Sequence, residues 1–417
     1  MIGRSLSLLA VMLATTGQDP VARPSTQPGR APQFEAGTEL VLVDAVVTDK
    51  SDKPVLDLTR EDFRVSVDGA PREIVSFAAF GAAAARARTE APSDPASSDR
   101  PLPVPAFVPA STVILIDEGH LTAMESARLD PFFSTILRAL EERRGSVLVL
   151  APWSKVAFAG QLPGDLAGLT EAVKHPRGQR ISAIDTRPMT AAEAFLIDQG
   201  DTYNVGRVAA RFRFLNPGLG DHVTDLVRNQ ATEQVARERA RRGDTFEAMR
   251  IGFAWLWKQP GRHTFLLVTS GFPNDPSDDG FQEMMNHSLR VNAPVHFLDV
   301  AGMEIAPEFE GIEYRYALEE GARVSPLDLI EASGGSDILA ADTGGLRVAD
   351  NNIERGFARI LDATRLYYIL GFEPSGRGKR GVHKIKVEVK RKDARVRARR
   401  GYFDPVPAPK PMPRASP

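Results

Sequence analysis

The residues of this chain that offer chemistry are acids, hydroxyls and a few imidazoles. His120 stands in the run Asp117-Glu118-Gly119-His120-Leu121, and a carboxylate beside an imidazole is a pairing used in general acid–base catalysis. No nucleophile in a motif accompanies it. There is no GxSxG, no P-loop and no dinucleotide fingerprint, so a solvated loop histidine is the expectation. The 7 histidines form neither an HExxH nor a close pair, and the cysteine count is 0. That removes disulfides, thiolate zinc sites and a catalytic cysteine together. A second distinctive tract is basic: Lys384, Lys386, Lys390, Arg391, Lys392, Arg395, Arg397, Arg399 and Arg400 interleave with Ile385, Val387, Val389 and Val396. A period of two puts the charges on one sheet face. The expectation is a solvated face that discourages edge pairing, with binding of an anionic surface polymer as the functional alternative.

The elements that must position these groups change character along the chain. From Glu39 to Phe80 the periodicity is that of strands: an aliphatic run around Leu40–Val47, then Phe63, Val65 and Val67 in alternation, a hairpin pair Asp68-Gly69, and a last strand near Ile74–Phe77. Residues 81–110 are rich in Ala, Pro and Ser and read as a linker. From Thr112 strands alternate with helices. Val113–Ile116 is a continuous apolar run ending in Asp117, as expected of a buried parallel strand. Leu129, Phe132, Phe133, Ile136, Leu137 and Leu140 line one helical face. Strands are expected at Ser146–Leu150, briefly at Val156–Ala159, at Thr264–Thr269 and at Val295–Leu298. Residues 165–242 are expected to be mostly polar helix, Gly243-Asp244-Thr245 to open a further helix, and Phe281–Val291 to form another. Helices are also expected around 326–341 and 351–364, flanking a short element at Leu346–Val348. After Arg365 three strands follow: Leu366–Phe372, Val382–Val389 and Arg395–Phe403.

This grammar predicts an α/β fold with a doubly wound, mostly parallel sheet. Ligands of such sheets sit at the carboxyl ends of the strands, where Asp117, Ser270 and Asp299 fall. Neither flanking β segment can bury its apolar face alone, so together they should form a small sandwich into which the α/β block is inserted. The composition suits a globular protein: 42% hydrophobic, 25% charged, and 52 basic against 54 acidic residues, for a net charge of -2. A neutral balance gives no global attraction for nucleic acid or membranes. At the amino end, Arg4 precedes an apolar run from Leu6 to Ala14. That run is too short to span a membrane and suits a signal-peptide core; no later stretch reaches transmembrane length. The expected organisation is a signal peptide (1–18), flexible leader (19–36), first β portion (37–80), linker (81–110), α/β domain (111–364), second β portion (365–405) and Pro-rich tail (406–417).

Several stretches resemble a known family. VDAVVTDKSDKPVLDLTREDFRVSVDGAPREIVSF, GRHTFLLVTSGFPND, LAADTGG, LYYILGFEP and GVHKIKVEVKRKDARVRARRGYFDP are similar to segments of secreted, von Willebrand factor type A-related proteins of acidobacteria. The likeness runs from about Glu39 to Pro405, and the closing segment is its most specific part. It implies a type A, Rossmann-like domain and a metal-ion-dependent adhesion site. In that site an Asp-x-Ser-x-Ser loop, a Thr and a second Asp offer hard oxygen ligands to Mg²⁺ or Ca²⁺. Here Asp117 and Thr245 match, Gly119 and Leu121 replace the two serines, and Ser270 replaces the second aspartate, so two of five ligands survive. The metal residues implied are Asp117, Thr245 and Ser270, with Glu118, Asp275, Asp278 and Asp279 near enough in sequence to substitute. The bland alternatives are loop hydrogen bonds for Asp117, a helix N-cap for Thr245, and positive φ for Gly271 and Gly344-Gly345.

The expected function is an exported, non-enzymatic binding or adhesion module. It would meet an extracytoplasmic, secreted or periplasmic protein partner through Glu118, Asp275, Asp278 and Asp299. It would have no membrane span, no nucleic-acid partner, and a degenerate site for Mg²⁺ or Ca²⁺. The rival expectations are a metal-dependent hydrolase using the same acidic loops and a scaffold of a secreted assembly.

Overall fold

The computed structural model describes residues 40–80, 110–129, 133–134, 136–137, 144–174, 176–179, 189–275, 278–300, 333–349, 353–374 and 381–404. The expected signal peptide, leader and tail, and the linker up to residue 109, lie outside these residues. So do Phe132 and Leu140 of the expected helical face.

Along the chain, strands β1 (Val41–Thr48), β2 (Phe63–Val67), β3 (Ala70–Arg72) and β4 (Ser76–Phe80) come first. The α/β region follows with β5 (Ala110–Ile116), α1 (Ala123–Ala127), β6 (Gly145–Ala151), β7 (Val156–Leu162), α2 (Leu166–Ala172), α3 (Ala191–Asp198), α4 (Thr202–Leu215) and α5 (Val223–Leu256). It continues through β8 (Arg262–Thr269), α6 (Asp279–Val291), β9 (Val295–Asp299), α7 (Gly334–Thr343), β10 (Arg347–Ala349) and α8 (Ile353–Arg365). The described chain closes with β11 (Tyr367–Phe372), β12 (Gly381–Val389), β13 (Arg395–Ala398) and β14 (Gly401–Asp404).

These strands make a six-stranded sheet in the order β10-β9-β8-β5-β6-β7 and two four-stranded sheets, β13-β1-β11-β4 and β14-β12-β2-β3. All neighbours in the six-stranded sheet are parallel except β6 and β7, and every pairing in the smaller sheets is antiparallel. The protein is therefore mixed α/β.

Strand periodicity explains the layering of the large sheet. On β5, Ile114 and Ile116 point into one apolar layer with Leu129, Phe133, Ile136, Leu169, Phe357 and Ile360. Val113 and Leu115 point into the opposite layer with Phe246, Met249, Phe253, Phe281, Met284 and Leu289. Both faces of the central strand are covered, so it reads as an unbroken apolar run. In the smaller sheets, Val43, Ala45, Val47, Tyr368, Leu370 and Phe372 meet Phe63, Val65, Val67, Ile385 and Tyr402 in one core. Fully burying such a side chain contributes about 1.5–3 kcal/mol, which strands this short cannot collect without a facing sheet. β1 runs antiparallel to β11, with Val41 opposite Phe372.

Three local expectations are revised. Residues 395–403, expected as one strand, divide into β13 on β1 and β14 on β12, so the chain crosses between sheets at Arg399-Arg400. The short strand expected at Val156–Ala159 extends to Leu162 and runs antiparallel to β6. Thr245 does not open a helix: α5 runs unbroken for 34 residues, and Gly243 lies inside it. One glycine costs a helix only about 1 kcal/mol, and the two ends of α5 are each anchored. Val223, Val227, Ala231 and Val235 pack with α3 and α4, whereas Phe246, Met249, Phe253 and Leu256 pack on the sheet.

The two antiparallel sheets are joined to the amino edge of the parallel strands. Arg262, first residue of β8, is half-buried, sets its guanidinium 3.5 Å from the centroid of the Tyr367 ring, and donates through Nε to Asp44 at 2.8 Å. It also donates to the Thr364 carbonyl. The Gly344-Gly345 turn after α7 fits here for two reasons. Gly344 has φ +80, and a Cβ on Gly345 would come 1.8 Å from the Val295 carbonyl oxygen. Gly345 is thus required by close approach rather than by positive φ. The opposite, carboxyl edge is left to the loops.

Candidate functional site

Asp117 leaves the carboxyl end of β5 and is nearly inaccessible, 3% exposed. A buried carboxylate must find donors, and Asp117 finds three. Thr245 Oγ1 donates to Oδ1 at 2.9 Å, Thr269 Oγ1 donates to Oδ2 at 2.8 Å, and His120 Nδ1 donates to Oδ2 at 2.7 Å. Thr269 is the last residue of β8 and Thr245 faces the site from α5, so one side chain ties two strand ends to a helix.

His120 is 1% exposed and bridges two acids. Its Nε2 donates to Glu238 Oε1 at 2.9 Å, and its ring packs against Phe272 with centroids 5.7 Å apart. Burial works against a charge on this ring. The carboxylates of Asp117 and Glu238 outweigh it, and the pKa is pushed up to about 10. The ring is therefore an imidazolium at neutral pH, and both of its N–H groups are occupied. A general base needs a free lone pair, and His120 has none.

Glu118 turns the other way. It is fully buried, and it accepts from Ser154 N at 2.8 Å, from the Ser154 hydroxyl, and from Arg177 N at 2.8 Å. The loop after β5 is thereby fastened to the turn after β6 and to the segment around Arg177.

The remaining acids expected to face a partner are engaged within the chain. Asp275 is buried and accepts from Arg239 Nε at 3.1 Å and Arg242 Nη2 at 3.0 Å. Asp278 caps α6 by accepting from Gly280 N at 2.8 Å, and takes Arg242 Nε at 2.7 Å. Asp299, also buried, accepts from Arg347 Nη2 at 3.0 Å. For the buried Asp275 and Asp299 the physical reason is shared: a carboxylate withdrawn from water is stable only with a cation or several donors beside it. Asp279 is exposed at the start of α6.

Of the expected metal residues, Asp117 and Thr245 are in contact. Ser270 follows Thr269, and its Oγ is buried with no hydrogen-bond partner among the described residues. The donor set does not fit Mg²⁺ or Ca²⁺, which need oxygen lone pairs converging on one point. Both oxygens of Asp117 already accept hydrogens, and the nearest neighbour of the pair is a cationic ring. Among the described residues no three His, Asp or Glu side chains are placed to share a metal ion.

Glu238, Thr269, Ser154 and Trp153 join the site without a motif that marks them in the sequence. Glu238, Arg241 and Thr245 stand at i, i+3 and i+7, one face of a continuous helix, a signal hidden by starting a helix at Gly243. Among the side chains this edge exposes are two large apolar ones: Met124 on α1 is 63% exposed and Trp153, in the turn after β6, is 49% exposed. The indole lies over the Asp117 loop, so that a Cβ on Gly119 would sit 3.1 Å from Trp153 Nε1. No described helix is long and apolar enough to cross a membrane. No family model, curated protein or solved structure matches the chain.

Proposed function

We propose that this protein is an exported, non-enzymatic binding module whose type A-like domain offers the carboxyl edge of its parallel sheet to a protein partner, without a metal ion. One observation carries the reading. The loop after β5 is bonded to the turn after β6, to the last residue of β8 and to α5 through Asp117, His120 and Glu118, while Trp153 and Met124 stand exposed beside it. A rim held rigid before contact loses little entropy on binding, and an exposed tryptophan is the side chain most often found at the energetic centre of an interface. The hydrolase alternative has less support, because the acids it would use are already engaged: Asp117 by His120, Thr245 and Thr269, Glu118 by Ser154 and Arg177, and Asp275 and Asp278 by arginines. Export rests on the apolar run Leu6–Ala14.

The test is affinity capture from envelope extracts of the source organism with the full chain and with a Trp153→Ala/Met124→Ser variant, each with Mg²⁺ and with chelator. A protein retained by the parent chain under both conditions and lost with the variant is the expected result. Equal retention by both chains, dependence on Mg²⁺, or turnover of a substrate abolished by Asp117→Asn would each overturn the proposal.

A further inference from the structure

Oxygen atoms surround His120 in the way they would surround a cation. Asp117 Oδ2 lies 2.7 Å from Nδ1, Glu238 Oε1 lies 2.9 Å from Nε2, and Thr245 Oγ1 is 3.5 Å from Nδ1. Thr269 Oγ1 donates to that same Asp117 oxygen at 2.8 Å. Carboxylate oxygens only accept, so two of them on one ring require a hydrogen on each ring nitrogen. We propose that the doubly protonated His120 ring is the resident cation of this oxygen-lined site, and that it shuts out divalent metal ions from a place that would otherwise take one.

The positions of the oxygens follow from the chain. Asp117 and His120 are three residues apart in one short turn, where the ring folds back onto the acid. Glu238 and Thr245 project from the same face of α5, two turns apart, and so meet the two ends of the ring. Removing the ring would leave two carboxylates about one imidazole apart and a threonine hydroxyl beside them, with little water to screen them. That gap is wider than two direct metal–oxygen bonds of about 2.1 Å, so an ion seated there would keep water on at least one side, as Mg²⁺ usually does. The inference is independent of which partner, if any, the rim meets.

The probe is Mn²⁺, followed by its electron spin resonance signal in titrations of the full-length protein. The parent chain is expected to bind no Mn²⁺ at this site up to about 1 mM, the weak end of protein sites for hard cations. His120→Ala is expected to tighten binding by about tenfold or more, equivalent to about 1.4 kcal/mol, and Asp117→Asn added to it should remove the gain. Stoichiometric Mn²⁺ on the parent chain that disappears in Asp117→Asn would overturn the proposal. So would a folded His120→Ala that binds no better than the parent. Should His120→Ala fail to fold in chelator, refolding it with Mn²⁺ decides the matter: recovery of folded protein supports the ring as the ion's substitute, and no recovery overturns it.

Discussion

Asp117→Asn is the most informative single change, because it keeps the shape of the side chain while it removes the charge and turns one acceptor oxygen into a donor. Three donors converge on Asp117. Two are hydroxyls, which rotate and can find other acceptors, as Thr245 can in the Arg241 carbonyl 3.2 Å away. The third, His120 Nδ1–H at 2.7 Å, is fixed by the ring's second bond to Glu238. A hydrogen bond to a charged group is worth about 1.5–3 kcal/mol, and breaking a buried ion pair costs about 3–5 kcal/mol. The two ranges meet near 3 kcal/mol, the expected loss. Glu238→Gln should cost about half as much, because the Glu238 side chain is 15% exposed and water can replace part of the interaction. Equilibrium urea unfolding followed by tryptophan fluorescence reads both. In a His120→Gln background the Asp117→Asn penalty should shrink, with a coupling energy above about 1 kcal/mol. A penalty below about 1 kcal/mol at pH 7, no larger than that of an exposed ion pair, would refute the reasoning. So would a larger effect for Glu238→Gln.

Further outcomes follow from the same structure. The pKa of His120 is raised from 6.5 to about 10 in the folded chain. Its contribution is therefore complete below about pH 6.5 and is lost as pH rises through about 10, because the folded state holds the extra proton in that window. Unfolding free energies should decline between neutral and mildly alkaline pH in the parent chain and be flatter in His120→Gln; parallel curves would contradict the assignment. Gly345→Ala should yield insoluble or severely destabilised protein, since its Cβ would lie 1.8 Å from the Val295 oxygen. Soluble yield and thermal unfolding check this, and a variant within about 1 kcal/mol of the parent would show that β9 gives way there. Arg262→Met keeps an apolar stem near Tyr367 but strands Asp44. A loss of about 3 kcal/mol, the low end for a half-broken buried pair, is expected because the pair keeps some access to water; urea unfolding measures it, and a loss under about 1 kcal/mol would remove Arg262 from the joint.

Much of the scaffold was legible because periodicity is local. The run Val113–Ile116 announced a strand covered on both faces, and Asp68-Gly69, with φ 50 and 83, is the turn its residues demand. Asp117, Ser270 and Asp299 do lie at strand ends on one edge of the sheet. What escaped is tertiary. That Arg239 and Arg242 capture Asp275 and Asp278 leaves no trace in spacing, since the pairs join α5 to a loop beyond β8. Glu238 sits in a charged tract that reads as solvated helix, and its neighbours in sequence do not report that this one acid turns inward to meet a histidine in the turn after β5. The crossing at Arg399-Arg400 was hidden for a related reason: alternation continues through it while the partner sheet changes.

The pairing of Val41 with Phe372 has a consequence for how the chain is made. A ribosome works from the amino end, so β1 and β2 are synthesised before any residue of β11, β12 or β13 exists. The parallel sheet can condense in the meantime, since β5 to β10 are contiguous in sequence. The opening hairpin region, in contrast, must wait with its aliphatic side chains uncovered until the last strands arrive, a long loop closure of the kind that slows folding. During that interval it is the segment most in need of a chaperone's protection, and a nascent chain stalled near Arg365 would be left with one sticky flank.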